Sequence, residues 1–172
     1  GAAWAAIPVG LACSTLLGAV SGLGVGYLRV PSMIFTLGTN AAAQGLVVLQ
    51  TGGFAPQERA TPAMHLLATG RSFFGIPNAL LLWIAVGAGA SFILRRTTLG
   101  RAIYAVGNRE RAAYLSGVDT RRTTAIVFVA AGALSGLAGI LLAGYSNKAY
   151  QGMGDSYLMP AIAAVVLGGT QI

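Results

Sequence analysis

Charged residues are scarce in this sequence. Asp, Glu, Lys and Arg make up 9% of its 172 residues, against about 25% in ordinary soluble domains. Hydrophobic residues make up 55%, and the mean hydropathy is +0.72. A soluble domain of this size would have too few charges to cover its surface, so the composition excludes that class and indicates an integral membrane protein.

Residues that several kinds of chemistry require are also missing. A single cysteine excludes a disulfide within the chain, and His65 is the only histidine. The four acidic residues all lie between the long apolar runs, which disfavours a membrane enzyme and a proton-coupled carrier. There is no G-x-x-x-x-G-K-[ST] motif for binding ATP. We therefore expect no catalytic site, no metal and no cofactor on this chain.

Long uncharged runs dominate what is present. A helix needs about 20 apolar residues to cross the hydrocarbon core of a bilayer. The sequence predicts an all-α, polytopic membrane bundle with about five spans, which lie within residues 1–28, 32–50, 76–94 and 123–145 and from 158 onward. Residues 52–77 and 146–157 are expected to be exposed loops, and the first can hold one short interfacial helix.

Small residues recur at helical spacing in two of the spans. Gly18, Gly22 and Gly26 share one face of the first span as a double GxxxG pattern. Gly132 and Gly136 form a GxxxG pair in the fourth, and Gly139 extends the run of small residues. Such stripes let helix backbones approach closely in membranes, so both are predicted to be packing surfaces.

The second span is more polar than the first. Ser32, Thr36, Asn40 and Gln44 recur every four residues and so lie near one helical face. Polar groups in hydrocarbon are costly unless they are paired or face a cavity. Two interpretations remain open for this stripe: hydrogen bonding between helices, or the lining of a solute pathway.

A basic segment separates the third and fourth spans. Residues 95–122 hold seven of the eleven basic residues, and Arg29 would lie on the same side of the membrane. Because cytoplasmic loops carry an excess of Lys and Arg, this segment is predicted to be cytoplasmic. The positions of the basic residues next to apolar spans argue against nucleic-acid binding as the reason for the net charge of +7.

Within this segment, residues 109–115 favour a short helix. Asn108 is expected to be its N-cap, Glu110 suits its first turn, and Gly117 suits a left-handed C′ position. Asp119 or Thr120 can cap the helix that re-enters the membrane. From the residues alone, this is either a rigid helix that fits a groove on a partner or a solvated loop that only sets topology.

Four motifs in order resemble one family of membrane proteins, the permease subunits of bacterial ribose-type sugar ABC importers. The basic segment resembles the family's cytoplasmic coupling loop through Thr98-x-Gly100-Arg101-x-x-Tyr104-Ala-Val-Gly-Asn108 and Ala112-Ala113-x-Leu115-Ser-Gly-Val118. The other three motifs are Pro31-x-x-Ile34-x-Thr36-Leu-Gly-Thr39, Leu134-Ser-Gly-Leu-Ala-Gly139, and the apolar segment from Leu158 to Gly168-Gly-Thr170.

The resemblance implies that residues 1–172 are part of one transmembrane permease domain in the bacterial inner membrane, with residues 95–122 as its coupling loop. It assigns contact with the ATPase to ten residues: Gly100, Arg101, Tyr104, Gly107, Asn108, Ala112, Ala113, Leu115, Ser116 and Gly117. ATP and Mg²⁺ are then expected on a separate cytoplasmic subunit.

The same resemblance implies a second permease subunit, identical or different, and an extracytoplasmic solute-binding protein. The expected solute is a sugar or a similar small molecule; another solute, such as a branched-chain amino acid, and a non-ABC carrier are the alternatives. Because the family's chains are about twice this length and both ends fall in apolar sequence, we expect a fragment of a longer permease.

Overall fold

The computed structural model describes residues 5–53, 60–73, 75–150 and 152–169. The described residues form eight helices and one small hairpin. In chain order they are α1 (Ala6–Leu28), α2 (Ser32–Thr51), α3 (Pro62–Thr69), β1 (Arg71–Phe73), β2 (Ile76–Pro77), α4 (Asn78–Arg96), α5 (Thr98–Asn108), α6 (Glu110–Leu115), α7 (Thr120–Ser146) and α8 (Asp155–Leu167). This is the predicted all-α architecture.

Four of these helices, α1, α2, α4 and α7, are long and apolar enough to cross a membrane. Each coincides to within a few residues with one of the first four predicted ranges, of which residues 1–4 lie outside the described part of the chain. The fifth apolar segment forms α8, whose 13 residues extend about 20 Å, which is less than the roughly 30 Å of a hydrocarbon core. The predicted segment continues through residues 170–172, which lie outside the described residues.

The centre of the bundle is an antiparallel contact between α1 and α7. A β-carbon at Gly18 would lie 2.6 Å from the carbonyl oxygen of Phe128 and 2.9 Å from the Cα of Gly132. One at Gly26 would lie 2.9 Å from the carbonyl oxygen of Arg121. The two backbones therefore touch, and only hydrogen fits between them.

The remaining glycines of the two stripes differ in their surroundings. A β-carbon at Gly22 would lie 2.9 Å from the carbonyl oxygen of Ala125, and one at Gly136 would overlap Ser14. Gly139 does not take part in this contact: a β-carbon there would have no described neighbour within 4 Å.

Other elements pack around this pair. The ring of Phe35 on α2 covers Gly24 of α1, and α3 lies against the far end of α7, where Gly144 meets the main chain of Met64. The predicted loop at residues 52–77 therefore contains a helix that is packed on a span, followed by the β1–β2 hairpin. Its residues 54–59 and 74 lie outside the described residues.

The antiparallel pairing defines two ends of the molecule. Because Gly26 lies beside Arg121, the end of α1, with Arg29, lies at the same end as α6 and the start of α7. We call this the inner end. The positive-inside bias places Arg29 and the basic segment together in the same way, whereas α3 lies at the opposite, outer end.

The contact between α1 and α7 generates a first prediction. Gly18→Ala adds one methyl group where backbone atoms leave no room, and overpacking of this kind costs about 1–3 kcal/mol. Gly10→Ala is the matched control on the same helix, because its β-carbon would meet only Ile140 side-chain atoms at 3.8–3.9 Å. We expect Gly18→Ala alone to lower the unfolding midpoint of the detergent-solubilised full-length protein. Equal midpoints for the two variants would contradict this packing.

Candidate functional site

A single residue, Thr97, joins α4 to α5 at the inner end. Its hydroxyl accepts a hydrogen bond from the Gly100 main-chain N–H at 3.2 Å, which caps α5. Gly100 is buried, and a β-carbon there would lie 2.6 Å from the carbonyl oxygen of Ile93 and would overlap that of Leu94. The corner between the two helices therefore requires glycine at position 100.

A second single residue, Arg109, separates α5 from α6. Its backbone is extended, with φ −153° and ψ 103°. The prediction that Asn108 caps the short helix is wrong, because Asn108 is the last residue of α5. The Arg109 N–H donates to the carbonyl of Ala105 at 3.2 Å, which continues the α5 hydrogen bonding past Asn108. Arg109 is the N-cap instead, and it makes no side-chain capping bond.

The short helix α6 ends at Leu115, and Gly117 takes the left-handed C′ position that was predicted for it. Gly117 has a φ of +81°, and its N–H donates to the carbonyl of Tyr114 at 3.0 Å. The N–H of Val118 donates to the carbonyl of Ala113, also at 3.0 Å. These two bonds form a Schellman motif, which satisfies the carbonyl groups at the end of the helix.

The next helix, α7, begins three residues after Gly117, with Asp119 as its N-cap. The Asp119 carboxylate accepts from the Arg122 main-chain N–H at 3.1 Å. It also pairs with the Arg122 side chain at 3.1 Å, but these side chains are 52% and 77% exposed, so the ion pair adds little stability. Of the two predicted caps, the structure uses Asp119.

Short α6 rests on α5 and α7 and presents its other face outward. Ala113 is only 3% exposed, whereas Leu115 is 86% and Tyr114 is 67% exposed. Tyr104 on α5 is exposed as well. We call the exposed residues of α5 and α6 the α5–α6 surface.

Most of the ten residues that the resemblance assigned to the coupling loop lie on this surface. The exposed ones are Arg101, Tyr104, Gly107, Asn108, Ala112, Leu115, Ser116 and Gly117. Gly100 and Ala113 are buried instead. Their small size allows close packing between the helices of the loop.

A cleft of about 340 Å³ lies between α1, α2 and α7, and its lining is mostly apolar but includes several polar side chains. Of the four residues in the predicted stripe on α2, Thr36 and Asn40 line this cleft, and Ser32 and Gln44 do not. Sequence reasoning missed four further polar residues of the cleft: Ser14, Ser21, Thr39 and Ser135. The available signal was that Ser14 and Ser21 flank Gly18 on the face of α1 that packs against α7.

The cleft offers hydrogen-bond acceptors and one side-chain amide. The hydroxyl of Thr36 donates to the carbonyl of Ser32 at 2.8 Å, and that of Thr39 donates to Phe35 at 3.0 Å. Because their protons are used within the helix, these oxygens still have lone pairs that can accept from a solute. No charged side chain is among the described residues that line the cleft.

Metal-ligating side chains are not clustered in the described residues. In the part of the chain that the structure describes, no three His, Cys, Asp or Glu side chains lie close enough together to hold a metal ion. The lone His65 pairs instead with the hydroxyl of Thr69, which lies 3.1 Å from its Nδ1.

Comparison with known proteins gives one family for the whole chain. The family model described as "Branched-chain amino acid transport system / permease component" matches residues 1–172. The chain is 38% identical over 168 residues to the ribose import permease protein RbsC of Haemophilus influenzae, and 35% identical over 170 residues to RbsC of Escherichia coli K12. It is 33% identical over 174 residues to the autoinducer 2 import system permease protein LsrD of Salmonella typhimurium.

These matches cover nearly all of this chain but only part of the relatives. They include 96% or 97% of the chain and 52% or 53% of each relative. The chain therefore spans about half the length of the curated relatives that it matches. No solved structure matches it.

The glycine at the end of α6 generates a second prediction. Gly117→Ala forces a side chain into a left-handed conformation, which costs about 1–2 kcal/mol, although the space around it is open. In the full-length protein we expect amide hydrogen exchange at residues 113–118 to accelerate roughly tenfold, as that cost implies. Gly107→Ala is the control, because Gly107 lies in α5 without a left-handed φ and also has open space. Unchanged exchange in Gly117→Ala would contradict the role of this cap.

Proposed function

The chain belongs to the family of branched-chain amino acid transport system permease components, and on this premise we propose that it is part of the membrane-spanning subunit of an ATP-driven importer. It is a multi-pass membrane protein, with four helices that are long and apolar enough to span a bilayer. We propose that these spans form part of a translocation pathway in the bacterial inner membrane.

ATP chemistry belongs to another subunit in this proposal. The chain has no phosphate-binding lysine motif, and its only lysine, Lys148, follows α7 at the outer end. ATP and Mg²⁺ would bind to a cytoplasmic ATPase, and a second permease subunit and an extracytoplasmic solute-binding protein would complete the importer. The relatives named as import permeases support this division of labour.

The α5–α6 surface is our proposed contact with the ATPase. The observation that supports it most is the exposure of Leu115 and Tyr114 on a helix with a defined end at both termini. Exposed apolar side chains on a rigid element are typical of a helix that enters a groove on a partner. Because α6 lies on α5 and α7, movement of this helix would reach the spans directly.

We propose that the solute is a neutral polar molecule, such as a sugar. The cleft between α1, α2 and α7 presents hydroxyl groups and the Asn40 amide, and none of its described lining residues is charged. Such groups suit the hydroxyls of a sugar. A branched-chain amino acid carries two charges, and these would have no partners here. The cleft therefore favours the solute class named in RbsC over the one named in the family's description.

Contact with the ATPase can be tested with a single charge. Leu115→Asp places a carboxylate on the proposed apolar contact, and we expect the full-length permease to insert normally but to lose at least about tenfold of its co-purification with the ATPase, because a charge buried at an interface is costly. ATP-driven uptake in proteoliposomes should fall with it.

Leu66→Asp is the matched control, since Leu66 is 60% exposed on α3 at the outer end. It makes the same chemical change on the opposite side of the membrane and should leave ATPase co-purification unchanged. If Leu115→Asp retained the ATPase as well as Leu66→Asp does, the α5–α6 surface would not be the contact.

The solute assignment makes a further prediction. Asn40→Leu removes the amide from the cleft, and loss of one or two hydrogen bonds should raise the half-saturation concentration for sugar uptake roughly 2- to 10-fold. Gln50→Leu is the control on the same helix, because Gln50 does not line the cleft. Equal uptake kinetics for the two variants, or transport of leucine in place of ribose by the unmodified importer, would contradict the assignment.

A further inference from the structure

A second groove lies at the inner end; it shares Tyr114 and Leu115 with the proposed ATPase contact, but the importer proposal assigns no role to its arginines. It occupies about 560 Å³ between the end of α1, helix α6 and the start of α7. Its lining includes three arginines, one from each of these elements: Arg29, Arg111 and Arg121. Arg29 is far in sequence from Arg111 and Arg121, so the fold brings positive charge from two distant parts of the chain to one place.

These arginines have no protein counter-ion among the described residues. The one ion pair there joins Arg122 to Asp119, and neither of those residues lines the groove. Glu110 is the only acidic residue in the lining, so the groove carries an excess of two positive charges. All three arginines are exposed, and an anion bound in the groove would be attracted to this excess of positive charge.

Arg29 is also held in an unusual backbone conformation. It has a φ of 53° and a ψ of 30°, and with Asn147 it is one of two described non-glycine residues with positive φ. This left-handed conformation is uncommon for a residue with a side chain and often marks a functional position. It ends α1 beside the groove.

A threonine adds a polar group to the lining of the groove. Thr120 lines the groove and is only 6% exposed. Its hydroxyl makes no hydrogen bond to any described residue. Thr120 is also the first residue of the 27-residue helix α7, whose positive end favours an anion.

From these four features we infer that the groove binds a phosphate group. Guanidinium groups match phosphate oxygens with paired hydrogen bonds, and the Thr120 hydroxyl can donate one more. The phosphate is either that of an anionic phospholipid or free inorganic phosphate. A bound phosphate would lie beside Tyr114 and Leu115, which also line the groove. It would therefore stabilise α6 in its observed position. Only the assignment of this end to the cytoplasm rests on the proposed function.

Binding can be measured on the purified full-length permease without any ATPase. The unfolding midpoint is recorded in neutral detergent during titration with short-chain phosphatidylglycerol, with short-chain phosphatidylcholine and with inorganic phosphate. We expect saturable stabilisation by phosphatidylglycerol or by phosphate, and none by phosphatidylcholine. Each arginine near an anionic lipid surface contributes enough energy for about a fivefold change in affinity. Arg121→Gln should therefore weaken binding about fivefold, and Arg29→Gln with Arg121→Gln about 25-fold.

Arg122→Gln is the matched control, because it removes the same charge from the next residue of α7 outside the groove. It should bind within about twofold of the unmodified protein. Arg121→Lys is a second control, because it replaces the native side chain but keeps the charge. It should bind the anion better than Arg121→Gln.

Stabilisation by phosphatidylglycerol alone assigns the site to a lipid headgroup, and stabilisation by inorganic phosphate assigns it to the free ion. The inference is overturned if neither anion stabilises the protein, or if Arg121→Gln and Arg122→Gln weaken binding equally. Because no ATPase is present in this experiment, either of these two outcomes would leave the importer proposal unaffected. Evidence against the importer proposal would likewise not change the measured binding of phosphate.

Discussion

The contact on which the rest of this molecule depends is the one between the backbones of α1 and α7. Lipid offers no hydrophobic driving force between helices, so association relies on close packing. Gly18, Gly22 and Gly26 provide it by leaving room for the main chain of α7. The same contact places the end of α1 beside the start of α7, and it thereby creates both the cleft between the spans and the basic groove at the inner end.

Features that depend on neighbouring residues were predictable from the sequence. The four long spans follow from the absence of charge, and Gly117 and Asp119 cap their helices as their residue types predict. The resemblance to ribose-type permeases is confirmed, because it rested on four motifs in order along the chain. Gly18 and Gly132 were recognisable as packing residues because their spacing matches the helical turn.

Features that depend on contacts between distant segments were not predictable. Asn108 has the residue type of an N-cap, yet the hydrogen bonding of α5 continues through it to Arg109. Ser14 and Ser135 meet Thr36 in one cleft only because three helices converge there. The sequence pattern likewise includes Gly139 in a stripe, whereas a β-carbon there would meet no described residue within 4 Å. In each of these cases tertiary packing selects among options that the local sequence leaves open.

The joints between helices have a mechanical consequence. From Asn78 to Ser146 the chain is helical except for Thr97, Arg109 and the turn at residues 116–119. Each break is a single residue or a turn closed by hydrogen bonds, so the segment contains almost no slack. The segment is a series of helices joined by very short connections. A displacement of α6 would be transmitted to α4 and α7, because no flexible loop lies between them.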